Sequence, residues 1–223
     1  SRILYQKALK PILFRFDPEV VHSRFVDFGE LLGKTRPGRA LTSLAYGVRE
    51  GNAELTVDGL RYSSPVVLAA GFDYNARLLR ILKSVGFGGV EVGSVTARPC
   101  AGNPPPRMKR LVKSRSLVVY KGLRNDGVEE ITRRIVATPP EDGFIVGVSI
   151  ARTNDELSAT LAGGIDDYRT SLAHLVERNA GDYYTLNISC PNVHGGKSFG
   201  EPQRLGELLS ALSDIRHDRP VYI

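Results

Sequence analysis

The 223 residues suffice for one sizeable domain with its own core, and 42% hydrophobic with 24% charged residues excludes a disordered or fibrous chain. The net charge of +6 is spread without Lys/Arg runs, which excludes a basic nucleic-acid tail and leaves an ordinary basic surface, an acidic ligand or an anionic membrane surface. Cys100 and Cys190 stand far apart with no CxxC or Cys/His spacing, so neither a disulfide framework nor a metal site is indicated, and a reducing, cytoplasmic setting fits.

No apolar run reaches the ~20 residues that span a bilayer, and no charged-apolar-cleavage pattern marks a signal peptide. The chain starts at Ser1 rather than Met, so the reading allows for a segment upstream. From Tyr5 to Leu32, Leu9, Ile12, Leu13, Phe16, Val20, Val21, Phe25, Phe28 and Leu32 recur at three- and four-residue steps, interrupted at Pro11 and at Asp17-Pro18. Two or three short amphipathic helices are predicted. They read either as a cap on the main domain or as a peripheral membrane module, since Lys7, Lys10, Arg15 and Arg24 rim the Leu/Phe face.

Residues 33–51 hold Gly, Pro, Arg and Ser and read as a linker, dividing the chain into a helical part over 1–50 and a main domain over 51–223. Asp58-Gly59 between Leu55-Thr56-Val57 and Leu60-Arg61-Tyr62 predicts a hairpin, because both turn positions need positive φ. Short apolar strands at 65–69, 89–92, 144–150, 183–188 and 220–223 then alternate with helical stretches at 76–85, 127–136, 166–178 and 204–215. Repeated βα units predict a parallel sheet with helices on its faces. An eight-unit barrel needs about 250 residues, whereas a doubly wound open sheet finishes in fewer. The first strand runs into Ala70-Gly71-Phe72-Asp73, without the GxGxxG spacing of a dinucleotide site. Polar and glycine-rich residues gather instead at the strand ends, over 71–75, 93–96, 149–153 and 187–192, where a barrel assembles its site.

The sharpest segment is Asn187-Ile188-Ser189-Cys190-Pro191-Asn192, with two carboxamides, a hydroxyl and a thiol at a strand end and Pro191 stiffening the turn. Asn both donates and accepts, so Asn187 and Asn192 suit the carboxylate or amide edges of a planar substrate. A thiol serves as base or nucleophile where its surroundings favour thiolate; alone, Cys190 reads as a small buried hydrophobe or as a catalyst.

These residues resemble the dihydroorotate dehydrogenase family. The stretch from Asn187 to Asn192 is similar to its substrate loop, where the residue matching Cys190 is the catalytic base, Ser in the quinone-linked class and Cys in the soluble class. Val67-Leu68-Ala69-Ala70-Gly71-Phe72-Asp73 is similar to the first flavin loop, and 86–96 to the second strand and its turn. Arg98-Pro99, Gly102-Asn103-Pro104, Pro106-Arg107 and Gly122 with Asn125-Asp126-Gly127 continue the match in register. Leu13-Phe14-Arg15-Phe16-Asp17-Pro18-Glu19 with His22 resembles the helical extension of the quinone-linked class.

The resemblance implies the N-terminal part of a TIM (β/α)8 barrel preceded by a helical extension, an FMN cofactor, and oxidation of dihydroorotate to orotate in pyrimidine biosynthesis with a quinone acceptor. Cys190 then removes the C5 proton while hydride leaves C6; Ala70, Gly71, Ser94, Ser149 and Asn187 match flavin positions, and Asn187 and Asn192 substrate positions. The implied setting is the cytoplasmic side, peripheral on the cell membrane through the N-terminal helices. There are departures: Tyr74 replaces a lysine that touches flavin and substrate, Val119 and Tyr120 replace Asn-Arg, Arg124 replaces an Asn, and Ser149 an Asn. Arg124 is read as restoring the charge lost at Tyr74. Two other readings remain, a barrel flavoprotein acting on another cyclic amide or enone, and a flavin-binding relative without catalysis. Family chains continue beyond the position of Ile223 with a lysine, a Thr-Asn segment and two glycine-rich flavin-phosphate turns. On that expectation the 223-residue segment alone aggregates or binds FMN poorly, its strand edges unpaired.

Overall fold

The computed structural model describes residues 2–47, 54–138, 141–191 and 198–223. α1 (Arg2–Leu4), a π-helical turn (Tyr5–Leu9) and α2 (Lys10–Leu13) run on continuously, so Pro11 does not break the helix as the periodicity predicted. The wide turn just upstream, closed by the Lys10 N–H on the Tyr5 carbonyl, gives the proline ring the room it otherwise takes from the carbonyl four residues back. The break at Asp17-Pro18 is real. The Asp17 carboxylate accepts from the N–H groups of Glu19 (2.8 Å) and Val20 (3.1 Å), and Pro18 opens α3 (Pro18–Gly33).

The supposed linker is largely a helix, α4 (Arg36–Tyr46). Its Gly, Pro and Thr are the ingredients of a capped start: the Thr35 hydroxyl accepts from the Gly38 N–H (3.1 Å) and Pro37 lies in the first turn. The hairpin of β1 (Leu55–Val57) and β2 (Leu60–Tyr62) turns on Asp58 at φ 49° and Gly59 at φ 80°, as Asp-Gly requires.

The main sheet comprises β3 (Val67–Leu68), β4 (Gly89–Val95), β7 (Ile145–Ile150), β8 (Tyr183–Leu186) and β9 (Val221–Tyr222), ordered β3-β4-β7-β8-β9 and parallel throughout. Between them run α5 (Leu79–Val85), α6 (Val128–Val136), α7 (Leu161–Glu177) and α8 (Pro202–Leu212). Helix α6 shows why the pattern was readable. It buries Val128, Ile131, Thr132 and Ile135, one stripe at three- and four-residue steps, and turns Glu129 and Arg133 outward. Val90, Val92 and Val95 of β4, Val148 and Ile150 of β7 and Leu172 and Leu175 of α7 form the core beneath.

Helix α7 begins five residues before its predicted start. Thr160 caps it by accepting from the Gly163 N–H (3.1 Å), and the glycines that hid the start are demanded by packing: a Cβ at Gly163 would lie 2.0 Å from the Leu157 carbonyl. A second hairpin, β5 (Met108–Leu111) and β6 (Ser116–Val119), was not predicted. Its turn at Arg115 (φ 53°) carries no Asn-Gly or Asp-Gly, and β6 is exposed along its length, so no alternation marks it. Among the described residues no helix is long and apolar enough to cross a membrane.

Candidate functional site

The register of β4 against β7 slips between Val92 and Val95, at Gly93-Ser94. Gly93 lies at φ 119°, and a Cβ there would stand 2.6 Å from the Ser149 carbonyl oxygen, so only glycine lets β4 bend this close to β7. The slip places Ser94 Oγ 2.8 Å from Ser149 Oγ, and Asn187 Nδ2 donates to Ser94 Oγ at 2.8 Å. The Gly71 N–H donates to the Gly93 carbonyl (2.8 Å), bringing the Ala70-Gly71 loop alongside. Three consecutive strand ends and the β3 loop thus converge, and all five expected flavin positions, Ala70, Gly71, Ser94, Ser149 and Asn187, sit together.

Buried carboxylates hold these loops. Asp73 accepts from the N–H groups of Arg77 (2.9 Å) and Leu78 (2.7 Å), fixing the turn after Gly71; burial pushes its pKa up against those bonds. Asp167 accepts from the N–H groups of Ala97 (3.1 Å) and Thr153 (2.9 Å) and from the Thr153 hydroxyl (2.7 Å), and pairs with Arg98 (3.0 Å), tying the loops after β4 and β7 to α7. The buried Tyr168 hydroxyl donates to the Asn187 carbonyl (2.6 Å), and Ser198 Oγ donates to the Ile188 carbonyl (2.9 Å). The backbone just ahead of Cys190 is thereby pinned at two carbonyls, while the thiol is half-buried rather than lost in the core.

Cys190 and Asn187 line a cavity of about 750 Å³ together with Ala70, Gly71 and Ser94. Phe25 of α3 and Met108 and Leu117 of the second hairpin give it apolar lining, beside Arg110 of the same hairpin. A smaller cavity of about 360 Å³, bordered by Arg152 and Phe199, is also lined by Cys190. Among the described residues no carboxylate lines the larger one. Tyr74, Lys121 and Arg124 do, with Lys121 Nζ 4.7 Å from the centre of the Tyr74 ring. Burial raises the Tyr74 pKa and lowers that of Lys121.

Arg124 lines this cavity without a free charge. Its guanidinium is paired with Glu19 (2.9 Å), which also holds Arg107 (3.0 Å), so its charge is engaged by α3 instead of standing free to replace the one absent at Tyr74. Glu19 and Lys121 were not singled out for this site. Glu19 comes from α3 folding back over 105 residues of sequence onto Arg124, and Lys121 meets Tyr74 across the chain, contacts without a local signal. Asn192 lies outside the described residues.

His22 docks α3 onto the site. Its Nε2–H donates to the Phe72 carbonyl (2.8 Å), its ring stacks on Tyr74 (5.7 Å), and its buried Nδ1 has no hydrogen-bond partner among the described residues. Burial, with Lys121 and Arg124 nearby and only partly offset by the Phe72 bond and Glu19, lowers its pKa from an ordinary 6.5. The neutral ring is therefore the docked form. Its contribution is complete above pH 6.5 and is lost as pH falls below that value, so melting temperature is expected to drop between pH 7.5 and 5 more steeply than in His22→Phe.

A family profile described as dihydroorotate dehydrogenase matches residues 52–223. The "Dihydroorotate dehydrogenase (quinone)" of Methylococcus capsulatus is 35% identical over 217 residues, covering 97% of this chain and 60% of that protein. The protein of the same name from Haloarcula marismortui is 37% identical over 207 residues, covering 92% and 56%. Among solved structures, the DHODH of Eimeria tenella in complex with ferulenol superposes with a TM-score of 0.73 at 26% identity, covering 89% of this chain and 51% of that one. The ligand-free form gives 0.72 at 27%, covering 91% and 55%. The chain thus spans between half and two thirds of the length of these relatives, and its five parallel strands with their helices are the N-terminal part of a β/α barrel.

Proposed function

Since the chain belongs to the dihydroorotate dehydrogenase family, we propose that it forms the substrate side of an FMN site at which dihydroorotate is oxidised to orotate for pyrimidine synthesis, with a quinone as final acceptor. The observation that carries this reading is the opening of Cys190 and Asn187 into the same cavity as Ala70, Gly71 and Ser94. The residues suit a flavin: a Cβ at Gly71 would meet nothing within 4 Å, so its backbone borders open space, and Ser94, Ser149 and Asn187 offer neutral hydrogen-bonding groups along one edge. FMN supplies the hydride acceptor when bound.

The chain's own residues supply the rest. The Cys190 sulfur takes the C5 proton. Asn187 spends one amide hydrogen on Ser94 and takes the Ser189 N–H (3.3 Å) on its oxygen, which leaves a second hydrogen and a lone pair for a planar substrate. Asn192 is assigned to the substrate from the resemblance alone. The apolar lining of Phe25, Met108 and Leu117 suits a quinone, and the exposed Phe16, Phe28 and Leu31 suit a peripheral contact with the cytoplasmic face of the cell membrane.

In the FMN-loaded protein expressed from its complete reading frame, anaerobic dihydroorotate is expected to bleach the flavin absorbance, and a quinone to restore it. Normal flavin content without bleaching would reject dihydroorotate and favour another cyclic amide or enone. Reoxidation by fumarate or NAD but not quinone would reject the acceptor alone.

A further inference from the structure

Three basic side chains line the larger cavity, and two are occupied. Arg124 is paired with Glu19, and Arg110 lies over the Phe14 ring (4.8 Å) and donates to the Phe16 carbonyl (2.9 Å). The Lys121 ammonium, among the described residues, makes neither a hydrogen bond nor an ion pair; it rests 4.7 Å from the centre of the Tyr74 ring. Because that ring presents its electron-rich face, the contact orients the ammonium without neutralising it. Glu19 shares its single charge between Arg107 and Arg124, so the neighbourhood keeps a positive excess. Burial depresses the Lys121 pKa, as expected of a cation stripped of water before a counter-ion arrives.

We propose that Lys121 is a specificity residue: it supplies the cation that holds the carboxylate of the ligand in this cavity, with Tyr74 as its seat. Position 74 therefore has no need of a charge of its own. The cation stands on the segment after β6 and lines the cavity that contains Cys190. The inference rests on the reading above, in which the ligand is a carboxylated cyclic amide.

Binding of orotate and of its uncharged methyl ester to the FMN-loaded protein, followed by the flavin difference spectrum, tests it. Lys121→Met is expected to weaken orotate about 10- to 100-fold, the value of a charge-assisted hydrogen bond, and to leave the ester unchanged. Adding Tyr74→Lys to Lys121→Met is expected to recover orotate binding. Equal weakening of both ligands, or of neither, would overturn Lys121 as the carboxylate partner while the unaltered protein still bleaches with dihydroorotate. Failure of the unaltered protein to bind orotate or to bleach would overturn the functional reading and this inference together.

Discussion

Cys190→Ala is expected to retain its flavin and to lose about 100- to 10,000-fold in the rate of flavin reduction by dihydroorotate, the range over which a positioned proton acceptor accelerates such a step. The size follows from the setting of the thiol. Its chain neighbours are held at Asn187 by Tyr168 and at Ile188 by Ser198, so the truncation removes the proton acceptor without releasing the loop. Neither contact involves the Cys190 side chain, and Ser94 with Ser149 and Asn187 remains intact, which is why flavin content should not change. Cys190→Ser is expected to recover part of the rate with its pH profile displaced upward, because a hydroxyl yields its proton less readily than a thiol. Stopped-flow absorbance of the flavin under anaerobic conditions measures both. An unchanged rate in Cys190→Ala would remove the thiol from the mechanism.

Asp167→Ala carries the largest expected cost in stability, about 3–5 kcal/mol. Its carboxylate is fully buried and satisfies two backbone N–H groups, a hydroxyl and part of a guanidinium. Removing it leaves the N–H groups of Ala97 and Thr153 without an acceptor, at about 1–3 kcal/mol each. Arg98 suffers less, since Asp155 also holds it (2.9 Å) and it is part-exposed. Asp155→Ala, at the solvent side of the same network, should therefore cost clearly less. Urea unfolding midpoints compare the two. Flavin content should fall with Asp167→Ala, because the loops after β4 and β7 carry Ser94 and Ser149; equal midpoints would show that the network does not anchor them.

The parts of this protein legible from its residues were those governed by near neighbours. Helix α6 and strand β4 announce themselves through their apolar positions, α6 because it must bury one stripe wherever it docks and β4 because it is covered on both faces. Asp58-Gly59 dictates its hairpin through backbone sterics alone, and Asp17-Pro18 its helix start through a local cap. The cluster at Asn187 to Cys190 was visible because an amide, a hydroxyl and a thiol at a strand end have few structural uses together. By contrast, α4 was hidden since Gly, Pro and Thr serve a loop and a capped helix start equally well, and the hairpin of β5 and β6 since its exposed strands need not alternate.

Tertiary structure alone decided the charges around the cavity. Arg124 has the right chemistry to meet an anion, yet Glu19, over 100 positions away, claims it, while Lys121, unremarkable along the chain, comes to rest on Tyr74. The physical reason is range. Steric and hydrophobic periodicity act over a few residues and are written locally, whereas the pairing of a charge depends on which segments the sheet and α3 bring within a few ångströms of it, and that is known only once the chain has folded.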